Sequence, residues 1–205
     1  MDRVDLYKPI DIENMIYHLI RYKFVARTIN KNDTIIELGC GNGYGAYFLS
    51  EYCQSIEAYD IDPEVIKYAK EKYKRGNIKY YNKDLIKEVN KNINRDSKKS
   101  FPQADVIICF EVIEHMTRED AMIAINTLKL LRKRNGIVFL STPKWVPDVQ
   151  KTQNRIKHHI HEYTYEELKK DLLSIFNRVI ILGQLDEIIG SLNKDNVWTY
   201  FCVCW

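Results

Sequence analysis

No run in this sequence reaches the roughly 18 uninterrupted apolar residues that a membrane-spanning helix needs. Nor do the first residues, Met1 to Asp5, follow the basic-then-apolar plan of a signal peptide. The expectation is a soluble, cytoplasmic protein without membrane insertion. Cysteines are few, odd in number and scattered: Cys40, Cys53, Cys109, Cys202 and Cys204. None of their spacings suits a zinc site or a disulfide framework. Cys202 and Cys204 alternate along a strand pattern, so they read as small hydrophobes sharing one face. Concentrated charge of one sign is missing too, the formal net charge being only +3. Gripping a polyanion takes a dense basic face, so nucleic acid is not the favoured partner. The densest basic run, Lys129 to Arg134, is expected in a last helical turn before Gly136, where it would complement the helix dipole.

What is present fits one domain over residues 1–205. At 45% hydrophobic, 205 residues supply one sizeable core but not two. Residues 1–30 read as an N-terminal helical cap, 34–142 as the central segment, and 143–205 as a loop, a helix and the last two strands. Apolar residues at helical spacing (Ile12, Met15, Ile16, Leu19, Ile20, Phe24, Val25) predict an amphipathic helix over Asp11–Thr28. Strands are predicted at Thr34–Leu38, Ile56–Tyr59, Ile78–Tyr81, Asp105–Phe110, Gly136–Ser141, Arg178–Leu182 and Val197–Trp205. Helices are predicted to end near Leu49, to run from Pro63 to about Tyr73, and to cover Arg118–Arg132 and Tyr165–Ile175. The polar stretch Lys87–Ser100 predicts an exposed insertion. Such alternation implies an α/β fold: a doubly wound, mostly parallel seven-stranded sheet with helices on both faces. Ligands of such sheets bind at the carboxyl ends of the strands.

That edge carries the unusual residues. Gly39, Gly41 and Gly43 alternate after the first strand, where missing side chains allow positive φ and close approach of a ligand. A dinucleotide fingerprint, G-x-G-x-x-G, is broken by Tyr44, which argues against a nicotinamide enzyme. Asp60 ends the second strand, where a carboxylate can accept both hydroxyls of an adenosine ribose. Its bland alternative is helix capping, a role that Asp62-Pro63 suits better. Asp84 follows the third strand, placed to accept from an adenine amino group while Leu85 donates its backbone N–H to the ring.

The segments Glu37-Leu38-Gly39-Cys40-Gly41-Asn42-Gly43, Asp60-Ile61-Asp62-Pro63, Lys83-Asp84-Leu85 and Phe110-Glu111-Val112-Ile113-Glu114-His115 resemble, in order, the motifs of class I S-adenosylmethionine-dependent methyltransferases. The resemblance runs from about residue 17 to the C-terminus. It implies that the central segment binds S-adenosylmethionine and releases S-adenosylhomocysteine. The cofactor residues it implies are Glu37, Gly39, Gly41, Gly43, Tyr44, Asp60, Ile61, Asp84, Leu85, Phe110 and Glu111. Together with His18-Leu19-Ile20-Arg21-Tyr22, Ser141-Thr142-Pro143 and His159-Ile160-His161-Glu162-Tyr163-Thr164, the set resembles bacterial methyltransferases associated with surface-glycan synthesis. A small-molecule or glycan acceptor follows from that likeness, its hydroxyl attacking the methyl group in line. A second resemblance is to the 2′-O-methyltransferases of RNA 3′ ends, which implies a divalent metal, Mg²⁺ or Mn²⁺, on Glu111, Glu114, His115 and His159.

Histidine titrates near neutrality and suits general-base work, so His115 and His159 are the candidate catalytic residues. The alternative is that Glu114 and His115 merely orient the segment after the fourth strand, and that His158, His159 and His161 sit on a solvated loop. Trp145 and Tyr163 read either as a flat wall for an acceptor or as loop anchors. Lys144, Lys151, Arg155 and Lys157 read as attractors of a phosphorylated acceptor or as solvated charge. Tyr22 is placed either over the cofactor or in the core.

Overall fold

The computed structural model describes residues 12–93, 101–191 and 196–205. Its five parallel strands, β1 (Thr34–Leu38), β2 (Ser55–Asp60), β3 (Ile78–Asn82), β4 (Ala104–Phe110) and β5 (Arg132–Pro143), lie in the order β3-β2-β1-β4-β5. Three more, β6 (Val179–Leu185), β7 (Ile188–Gly190) and β8 (Thr199–Cys204), continue beyond β5 in the order β8-β6-β7, with every contact antiparallel. Strand order reverses between β1 and β4, and the crevice at such a switch point is where open α/β sheets bind ligands.

Among the described residues there are seven α-helices: α1 (Ile12–Thr28), α2 (Tyr44–Leu49), α3 (Pro63–Lys72), α4 (Leu85–Ile93), α5 (Arg118–Leu131), α6 (Gln153–His158) and α7 (Tyr165–Ile175). Successive strand residues point to opposite faces, so the central strands, mostly apolar on both faces, feed two cores. Ile35, Val106, Ile108 and Phe139 pack with Tyr22 and Val25 of α1, Leu49 of α2 and Ile66 of α3. Ile36, Ile107, Cys109 and Leu140 pack with Val89 of α4, Ile125 of α5 and Leu172 of α7. All five cysteines are buried thiols, Cys202 and Cys204 within the second of these cores. Among the described residues, no helix is long and apolar enough to cross a membrane.

The sheet has eight strands rather than the predicted seven. The extra one, β7, is three residues long and hairpins onto β6 through Asp186, whose φ is 49°. Aspartate tolerates that left-handed turn, but without a following glycine the hairpin leaves little trace in sequence. The expected insertion at Lys87–Ser100 is also corrected, since its described part belongs to α4; residues 94–100 lie outside the described residues. Leu85 and Val89, one helical turn apart, are both buried, and the Asp84 carboxylate accepts the Lys87 N–H at 2.9 Å to start the helix. The basic run does not share one helical turn either. Lys129 lies in the last turn of α5, but the chain enters β5 at Arg132, and Lys133 pairs with Asp105 at 2.8 Å.

On α1 the inward stripe differs from the predicted one. His18, Arg21, Tyr22 and Val25, spaced i, i+3, i+4, i+7, are buried, whereas Ile16 is 42% exposed. The helix therefore turns a partly polar face toward the sheet edge.

Candidate active site

The chain leaves β1 through Gly39, Gly41 and Gly43, with φ of 71°, 54° and 89°. A Cβ disfavours that region, which accounts for the three glycines. A side chain at Gly39 would collide with Val112, whereas one at Gly41 would meet nothing within 4 Å, so the loop presents bare backbone to an open space. Asp60 fastens this loop, accepting the Gly41 N–H at 2.8 Å and the Asp62 N–H at 2.9 Å. The cap of α3 is Asp62, which accepts from the Glu64 N–H. Ile61 beside it is 72% exposed, a large apolar side chain uncovered at the strand edge. Asp84 spends one carboxylate oxygen on the start of α4 and pairs the other with Lys87 at 3.1 Å, while Leu85 is buried.

The polar stripe of α1 reaches this edge from the other side. The Tyr22 hydroxyl donates to Glu37 Oε1 at 2.7 Å, and the Tyr22 ring stands edge-on to Tyr44 and Phe110. Glu37 is buried, and its Oε2 has no hydrogen-bond partner. Burial, aided by the charge of Asp60 and opposed by the Tyr22 hydrogen bond, pushes the Glu37 carboxyl up to about 7. Arg21, 1% exposed, donates to Glu111 Oε1 at 2.7 Å and to the Ser141 hydroxyl at 3.4 Å, and bonds His18 Nδ1 at 2.6 Å. Burial and the Arg21 charge hold His18 down to about 4, so it is neutral and its Nδ1 accepts. Glu111 itself sits at a φ of 55°, a conformation that non-glycine residues adopt at a cost.

Beyond Glu111, a 3₁₀ turn over Ile113–His115 brings Glu114 and His115 to face the segment 158–162. The carbonyl of Glu114 accepts the Ile160 and His161 N–H groups, and its carboxyl takes the Thr142 hydroxyl at 3.2 Å. Burial, with the Glu111 charge nearby, pushes the Glu114 carboxyl well above the usual range. His115 Nδ1 lies 2.8 Å from the His158 carbonyl, and His159 Nδ1 lies 2.7 Å from Glu162 Oε1. The two imidazoles meet edge to face, 5.3 Å between centroids. Burial lowers the His159 pKa, against the pull of Glu162.

Of the four predicted metal ligands, Glu114, His115 and His159 come together, with one ligand atom from each within 4.8 Å of the others. The fourth, Glu111, is turned to Arg21 and Ser141 instead. Tyr163 is fully buried and anchors the loop, while Trp145 is half exposed. Lys151 and Arg155 are held by Glu162, whereas Lys157 and His158 are exposed.

Sequence reasoning gave no role to His18, Arg21 or Glu162. The available signal was position: two of them share the buried stripe with Tyr22 and Val25, where a purely structural helix would carry apolar residues.

Residues 14–185 match the family described as "Methyltransferase domain". A probable S-adenosylmethionine-dependent methyltransferase of Mycobacterium tuberculosis is 26% identical over 136 residues, covering 65% of this chain and 44% of the relative. A ubiquinone biosynthesis O-methyltransferase of Pelagibacter ubique is 30% identical over 139 residues, covering 66% and 53%. The chain spans between about a quarter and about half of the length of the curated relatives it matches. Among solved structures, the complex of DhpI with S-adenosylhomocysteine superposes with a TM-score of 0.67 at 15% identity, covering 97% of this chain and 89% of that one. With the glycine loop, Asp60 and the reversal of strand order all at one sheet edge, the chain belongs to the class I S-adenosylmethionine-dependent methyltransferase family.

Proposed function

We propose that the protein is an O-methyltransferase that methylates the hydroxyl of a small molecule or carbohydrate from S-adenosylmethionine. The observation that carries the oxygen acceptor is the pair His115 and His159. Each has its Nδ1 at hydrogen-bond distance from an oxygen that accepts, which leaves both Nε2 lone pairs unused by these bonds; His115 follows β4, the neighbour of the strand β1 that leads into the glycine loop. When bound, S-adenosylmethionine supplies an electrophilic methyl carbon on its sulfonium, and the acceptor oxygen displaces the thioether in line. An aliphatic hydroxyl must lose its proton near that step, and either Nε2 can take it. Much of the remaining acceleration comes from holding the reacting atoms close and collinear.

The cofactor fits what the residues leave unsatisfied. The orphaned Oε2 of Glu37 suits an ammonium, the open backbone at Gly41 suits the methionine chain, and the uncovered Ile61 offers an apolar surface to a base. Asp60 uses one bond per oxygen, and a carboxylate has about four acceptor sites, so it can still take the ribose hydroxyls. Calorimetric titration with S-adenosylmethionine and S-adenosylhomocysteine is expected to show binding that Asp60→Ala weakens about tenfold or more, as loss of a charge-assisted hydrogen bond does. No binding to a correctly folded sample would sink the proposal.

The same titration has a pH signature. Glu37 must be ionised to take an ammonium, and in the free protein it is mostly protonated below about 7. Binding at pH 6 is therefore expected to release a proton that binding at pH 8 does not. Apparent enthalpies compared in two buffers of different ionisation enthalpy read this directly. Equal proton counts at the two pH values would remove Glu37 from the site.

The cluster of Glu114, His115 and His159 supports a second reading, in which these three residues hold Mg²⁺ or Mn²⁺. Such an ion would lower the pKa of a neighbouring hydroxyl. Repeating the titration with each metal separates the readings, since a metal-dependent signal moves weight toward the RNA-end alternative.

A further inference from the structure

We infer that Glu162 is a positioning residue of this site: its carboxylate fixes His159 as the Nδ1–H tautomer and so reserves the Nε2 lone pair. The inference rests on the reading of His159 as a working group. A neutral imidazole carries one N–H, and with no partner the proton can sit on either nitrogen. Glu162 is 1% exposed, and its Oε1 lies 2.7 Å from His159 Nδ1.

Two cations flank this carboxylate. The Arg155 Nε–H donates to the same Oε1, and Lys151 Nζ stands 3.5 Å from Oε2. Glu162, a carboxylate that takes a guanidinium N–H on Oε1 and faces an ammonium at Oε2, is an acceptor on both oxygens, so Nδ1 must be the donor. Its own position is fixed in turn. Arg155 donates to the Lys144 carbonyl, and Thr152 caps α6 by accepting the Arg155 N–H at 3.2 Å. His115 reaches the same tautomer by a different route, through the His158 carbonyl. Removing Glu162 should thus release one ring and leave the other.

A merely structural Glu162 would neutralise Arg155 and Lys151 without touching the imidazole. Two variants separate these roles. Glu162→Gln removes the charge but keeps an acceptor oxygen held by Arg155, and Glu162→Leu removes both. The probe is the protein itself with ¹⁵N-labelled histidine, read by long-range ¹⁵N–¹H correlation at pH 8. A hydrogen bond to a carboxylate biases the tautomer about ten- to hundredfold. Wild type and Glu162→Gln are expected to show His159 as Nδ1–H. In Glu162→Leu that pattern should give way to Nε2–H while the His115 signals stay in place, which also reports an intact fold. A His159 that remains Nδ1–H in Glu162→Leu, or is Nε2–H in the wild type, overturns the inference. Should Glu162→Leu not fold, Glu162→Gln decides by itself, because a Nε2–H pattern there overturns it and a retained Nδ1–H pattern supports it. Failure of the parent reading looks different: the double variant His115→Ala with His159→Ala would keep full methyl transfer, while in the Glu162 variants the His159 tautomer still followed residue 162.

Discussion

Arg21→Met is expected to cost about 3 kcal/mol of stability, lowering the thermal midpoint by about 6–12 °C in a chain of this size. Few helical arginines matter so much, because most keep the guanidinium in water. Here it is 1% exposed, and its partner Glu111 is only 13% exposed. Removing one member of such a pair strands the other, typically at 3–5 kcal/mol or so. The lower end applies because Glu111 keeps the Ser141 hydroxyl at 2.7 Å. Methionine preserves most of the volume between Tyr17 and Phe110, so lost packing contributes little.

Two companion variants identify the cause. Arg21→Met with Glu111→Gln removes both charges and should recover part of the loss, giving a positive coupling in a double-mutant cycle. Arg21→Lys should fail to rescue, since one ammonium cannot reproduce the planar fork that reaches Glu111, Ser141 and His18. Chemical denaturation midpoints read all of these. An Arg21→Met protein as stable as wild type would mean that α1 is not tied to the end of β4 through this pair.

The same arginine marks where sequence stops being informative. Gly39, Gly41 and Gly43 were legible because positive φ has a residue-level signature, and Asp62 because a cap before proline is local. The strands β1 and β4 were legible because burial on both faces demands an unbroken apolar run. Arg21 is local only in its bond to His18. Its other partners, Glu111 and Ser141, lie 90 and 120 positions away, and nothing in α1 announces them. Helix α4 was obscured for a different reason: Leu85 and Val89 bury its face, but Lys, Glu and Asn fill most of the positions from Lys87 on, which on composition reads as a loop. His115 and His159, 44 positions apart, were paired only through a resemblance. What joins them physically is the carbonyl of Glu114 accepting from the chain at Ile160 and His161.

Replacing both His115 and His159 with alanine is expected to lower methyl transfer by about 10²–10⁴-fold, the range that general-base groups contribute. The double variant is the decisive one. With centroids 5.3 Å apart, either ring can stand in for the other, so single substitutions understate the pair. Binding of S-adenosylhomocysteine should survive, because Glu37, Gly41 and Asp60 lie at the ends of β1 and β2, on other elements than the histidines. The fold should survive too. The His115 side chain is 41% exposed and anchored by one hydrogen bond to the His158 carbonyl, so its loss is a mild surface change. Turnover is read with methyl-labelled S-adenosylmethionine on a sugar or phenol hydroxyl that the wild type methylates. If one single variant loses as much as the double, that imidazole is the base. If each single alone costs as much as both together, the rings act as a unit, as shared metal ligands would. Undiminished turnover in the double variant would refute both roles and leave the acceptor proton to another group.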